Sequence, residues 1–90
     1  MKYAVVITYS FDGDVPVYLF DDYDKAKEYL HDFWQDGYNE ELAESITGVD
    51  EEKTYHEDDY AIITWNDGDY MEYILTFVSK PVKIDGKDYR

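Results

Sequence analysis

Ninety residues with 44% hydrophobic content suffice for one modest core and not for two, so the chain reads as a single domain over residues 1–90. The absence of cysteine excludes disulfides and thiolate metal ligands and fits a cytoplasmic protein, which is the expected location. With 22 acids against 8 bases the formal charge is −14, and the single arginine, Arg90, offers no phosphate-binding cluster. Such a field repels nucleic acid and anionic membranes and draws in basic surfaces, so neither direct nucleic-acid binding nor membrane association is expected.

The N-terminal MKYAVVITYS lacks a long apolar stretch and alternates Tyr3, Val5, Ile7 and Tyr9 against Ala4, Val6, Thr8 and Ser10. That period of two predicts a strand, not a signal peptide. Asp12-Gly13-Asp14 supplies turn chemistry, and Val15, Val17 and Leu19 resume the alternation. Pro16 cannot donate to a ladder, which places the second strand at an edge or starts it after the proline. From Asp22 onward the period changes: Ala26, Tyr29, Leu30, Phe33 and Trp34 trace the stripe of an amphipathic helix. Asp22 or Asp24 can cap its start, and Gly37 is read as its stop, with Asn39 capping a second, shorter helix through Glu40, Glu41, Leu42 and Ala43. One long helix bent near Gly37 is the alternative.

Residues 49–59 admit either a short edge strand or an ordered loop. Tyr60–Trp65 and Tyr70–Val78 are β-rich runs joined by Asn66-Asp67-Gly68-Asp69, a hairpin signal. In the second run Met71, Tyr73, Leu75 and Phe77 share one face. Pro81 breaks the pairing, and Val82, Ile84 and Asp85-Gly86 suggest one more short strand. The predicted fold is α+β: a single antiparallel sheet in the order β-β-α-α-β-β, with optional short edge strands and helices on one face. No apolar run approaches the roughly 20 residues that cross a bilayer.

Chemistry-bearing motifs are sparse. His56-Glu57 resembles the start of HExxH, but Tyr60 stands where the second histidine belongs, and placing Gly68 in a calcium loop puts Ile63 and Trp65 at ligand positions. Glu51, Glu52, Glu57, Asp58 and Asp59 form either a loose divalent-cation site or, the simpler reading, a solvated acidic loop. There is no GxSxG motif or glycine-rich phosphate loop, and no catalytic residue, metal or cofactor is assigned.

Charge distribution is more informative. Residues 21–60 hold fifteen acids and three bases, so −12 of the −14 lies there. Asp24, Glu28, Asp32 and Asp36 recur every four residues, which places them along one edge of the main helix beside its apolar stripe. Successive carboxylates rise roughly 6 Å along the axis, near the spacing of phosphates on a nucleic-acid strand, and such a row can occupy a basic groove built for DNA or RNA. With Glu40, Glu41, Glu44, Tyr38 and Tyr55 they form a candidate partner-binding surface. A merely solvated helix face is the competing reading. Eleven tyrosines exceed what one small core absorbs, and exposed tyrosine beside acid suits recognition.

Phe20, Asp21, Ala26, Tyr29 and Leu30 follow the N-terminal hairpin in an F-D/N-x-x-x-x-A-x-x-Y/L pattern. Over its first third the chain thus resembles the opening of many small bacterial and phage α+β proteins. In size and acidity it is similar to phage-encoded inhibitors of host defence, including anti-CRISPR proteins, a likeness that implies no catalytic residue. The expected function is a non-enzymatic, acidic protein-binding module, an inhibitor or nucleic-acid mimic that occupies a basic site, for example on a nucleic-acid-binding protein. The alternatives are a structural protein that assembles through an exposed strand edge into a homodimer and, third, a metal- or small-molecule-dependent enzyme.

Overall fold

The computed structural model describes residues 2–78 and, by their backbone, 82–84 and 87–89. Five strands form one antiparallel sheet: β1 (Tyr3–Tyr9), β2 (Val17–Phe20), β3 (Tyr55–His56), β4 (Tyr60–Thr64) and β5 (Tyr70–Phe77), in the spatial order β2-β1-β5-β4-β3. A helix, α1 (Tyr23–Glu44), connects β2 to the second half of the sheet. A separate antiparallel pair, β6 (Val82–Ile84) and β7 (Lys87–Tyr89), ends the chain. Pro81 and the Asp85-Gly86 turn lie outside the described residues.

Both hairpins form where turn chemistry and alternation place them. β2 starts directly after Pro16, whose carbonyl accepts from the Ile7 amide at 3.0 Å. At the second hairpin Gly68 takes φ +94°, a left-handed conformation that favours glycine. Residues 49–59 contain both expected forms, an ordered turn followed by a short edge strand. Val49 bridges Trp65, Glu51–Lys53 make a 3-10 turn, and only Tyr55–His56 pair with β4. The long-range link is β1 with β5, seven register pairs from Tyr3↔Phe77 to Tyr9↔Met71.

The helical layer differs from the split reading. α1 is one uninterrupted helix, capped by Asp22, whose carboxylate accepts from the Asp24 amide at 2.8 Å. Gly37 neither stops nor caps it. A Cβ there would stand 2.8 Å from the Tyr73 hydroxyl and 3.4 Å from Ile63 Cδ1, so glycine serves the close approach of helix to sheet. Asn39 caps nothing; its side-chain oxygen accepts from Gln35 Nε2 at 3.0 Å, one turn earlier.

Ala26, Leu30 and Trp34 join Val5, Ile7, Ala61, Ile63, Trp65 and Tyr73 in a single core, which places α1 across one face of the sheet. Tyr29 and Phe33 flank this core in a stacked pair 5.5 Å apart, with Phe33 edge-on to Tyr73. Trp34 Nε1 donates to the Ile62 carbonyl at 3.0 Å, tying α1 to β4. Among the described residues every buried side-chain nitrogen and oxygen has a hydrogen-bond partner.

Candidate functional site

The acidic row follows from helix geometry. In α1, Ala26, Leu30 and Trp34 are the buried residues, and Asp24, Glu28 and Asp32 each stand two positions before one of them. Two residues turn an α-helix by about 200°, so the acids lie opposite the buried row rather than beside it, a correction to the expected edge. All three are exposed, as are Asp36, Glu40 and Glu44. The four-residue recurrence also drifts by about 40° per step, so over the roughly 30 Å from Asp24 to Glu44 the carboxylates wind about half a turn around the helix, and only Asp24, Glu28 and Asp32 lie squarely opposite the buried row.

The remaining candidates have other duties. Glu41 is half-buried and accepts from Trp65 Nε1 at 3.2 Å, fixing the end of α1 to the end of β4. Tyr38 stacks on Trp34 at 5.2 Å, and its hydroxyl donates to Glu51 at 3.0 Å. Burial first, then that hydrogen bond and the carboxylate charge, push the Tyr38 hydroxyl above its ordinary value. Tyr55 is exposed on β3, its ring 6.0 Å from that of Tyr60. Glu41 and Tyr38 therefore brace the helix, while the free acidic surface is Asp24, Glu28, Asp32, Asp36, Glu40 and Glu44.

Sequence reasoning missed the pairing of the two histidines. His56 is opposite Ala61 in the β3–β4 register, the face that meets α1, and its ring packs 4.5 Å from His31 and 4.8 Å from Trp34. Asp24, Lys27, Glu28, Glu57 and Asp58 surround this pair in an open cleft of about 410 Å³. No local signal could have joined residues 31 and 56, because the two-residue strand that brings them together carries no periodicity. Among the described residues no three histidine or carboxylate side chains converge as metal ligands. The row Glu51, Glu52, Glu57, Asp58 and Asp59 is exposed and divided between the 3-10 turn and the β3–β4 turn.

The arrangement can present a rigid ladder of negative charge to a basic surface. α1 carries no base in its last turn, while Glu40, Glu41 and Glu44 crowd the end where the helix dipole favours cations. No helix of the described residues is long and apolar enough to cross a membrane. Compared with protein-family models, curated proteins and solved structures, the chain matches none.

Proposed function

We propose that the protein is a non-enzymatic binding module whose acidic helix occupies a basic site on a protein partner, in the manner of a nucleic-acid mimic. The supporting observation is the placement of Asp24, Glu28 and Asp32 opposite the buried row of one continuous, tightly packed helix. Like charges at four-residue spacing each cost roughly 0.2–0.5 kcal/mol at low salt, and acids at a helix C-terminus add to that cost. Lys25 and Lys27, each three residues from an acid of the row, relieve this repulsion only in part, and packing against the sheet holds the helix against the rest. A solvated face needs no such regularity. The proposal includes action within a host cytoplasm on a protein that handles nucleic acid, in keeping with the size and acidity the chain shares with phage-encoded inhibitors.

The test reverses two charges at the centre of the row. In E28K/D32K each reversal adds two charge units, taking −14 to −10, and both positions are exposed, so the fold should persist. Pull-down from lysate of the source cell, with wild type and variant at low and high salt, should recover a basic nucleic-acid-binding protein only with wild type at low salt, displaced by added DNA. A partner retained by the variant and at high salt would remove the electrostatic basis of the proposal.

A further inference from the structure

The sheet face turned away from α1 has a different chemistry from the rest of the molecule. It is built from Val6, Val17, Leu19, Tyr60, Ile62 and Ile74, with small or hydroxylated residues between them. Val17 and Leu19 are 52% and 51% exposed. Among the outward residues of the five strands Glu72 alone is charged, in a chain that is 33% charged. That carboxylate is already satisfied: it accepts from the Tyr60 hydroxyl at 2.5 Å and from Thr8 Oγ1 at 3.5 Å. The two hydroxyl donors lower, without removing, the cost of covering this one charge, which leaves the rest of the face as the apolar contact.

We infer that this face is the contact between two copies of the chain, which dimerise sheet on sheet with the helices outside. Three observations select a second copy. At −14 two copies repel wherever their acids meet, and this face is where the acids are missing. Sheets stacked about 10 Å apart would hold the two acidic helix layers on the order of 30 Å from each other, several Debye lengths at about 0.15 M salt. The sheet edges, by contrast, are poor templates: β2 has four residues and follows Pro16, and β3 has two. Edge-to-edge assembly, the route suggested by the sequence, is thus disfavoured, whereas the outer face, about 19 Å across five strands, is open at Val17 and Leu19, half-buried at Val6, Tyr60, Ile62 and Ile74, and closed at Ala4 and Thr64. That footprint belongs with the smaller specific interfaces, so the dimer is expected to dissociate in the micromolar range.

Sedimentation equilibrium of the full chain, from about 1 to 300 μM at about 0.15 M salt, tests this. The wild type should move from the 10.7 kDa monomer to twice that mass, and L19K should remain monomeric with an unchanged circular dichroism spectrum. V17K, on the same exposed face, gives a second reading if L19K proves unstable. Raising salt should leave the dimer intact or strengthen it, because its contact is apolar and the helix layers are already screened, whereas it should weaken partner binding by the helix. This difference in salt response separates failure of one idea from failure of the other. A wild-type monomer at every concentration, a folded L19K or V17K that dimerises like wild type, or a dimer that salt dissolves would each overturn the inference.

Discussion

Replacing Gly37 by alanine sets two calculable effects against each other. In a helix interior alanine is favoured over glycine by about 0.8–1.0 kcal/mol, so propensity alone predicts stabilisation. Against this, the new methyl carbon would lie 2.8 Å from the Tyr73 hydroxyl oxygen and 3.4 Å from Ile63 Cδ1. A tyrosine end can swing aside when it is free, but Tyr73 is 1% exposed, its ring is held by Phe33 at 5.6 Å, and its hydroxyl donates to Met71 Sδ at 3.7 Å. Overpacking of this kind costs typically about 1–3 kcal/mol, so the clash should win and G37A should be less stable than wild type by roughly 1 kcal/mol. The double-mutant cycle with Y73F isolates the cause. Without the hydroxyl oxygen the alanine should recover its propensity advantage, giving a coupling of about 1–3 kcal/mol between the two positions. Urea unfolding followed by circular dichroism measures all four proteins. A G37A that gains stability in the wild-type background would refute the close packing of α1 on β5, and with it the reason for one continuous helix.

Two further outcomes follow from the same contacts. D22A removes the carboxylate that accepts from the Asp24 amide and should cost about 1 kcal/mol in urea unfolding, with D22N retaining most of that stability; equal losses in both would show that the cap contributes little. Burial, reinforced for Tyr60 by the hydrogen bond to Glu72, raises the Tyr60 and Tyr73 hydroxyls well above the ordinary tyrosine value. The folded state therefore favours the neutral phenol: stability is complete below about pH 10, where unfolded tyrosine ionises, and falls as pH climbs toward the folded values. Absorbance titration of the native protein should show a late-ionising subset of tyrosines. All eleven titrating together near their free value, with the fold intact, would contradict this.

Local periodicity carried much of this architecture. The alternation of Tyr3 to Tyr9 and of Tyr70 to Val78, the Asn66–Asp69 turn, and the cap and onset of α1 each depend on neighbours within a few residues, and each is legible without tertiary information. The exposed acidic row was equally visible, because spacing along a helix dictates which side chains share a side. Its position relative to the core was not, since that required knowing that Ala26, Leu30 and Trp34 are the residues that meet the sheet.

Tertiary structure decided the rest. Gly37 looks like a stop when judged by its own propensity, and becomes a packing requirement only once Tyr73, 36 positions later, lies against it. His31 and His56 are unrelated in sequence and touch because β3 pairs with β4 beneath α1. Composition and short-range pattern thus determined a small acidic α+β chain with its hairpins, helix onset and charged ladder. The pairing of β1 with β5, the continuity of α1 and the assembly of a sheet face with Glu72 as its one charge arise from contacts between residues far apart in the chain, and no local signal encodes those.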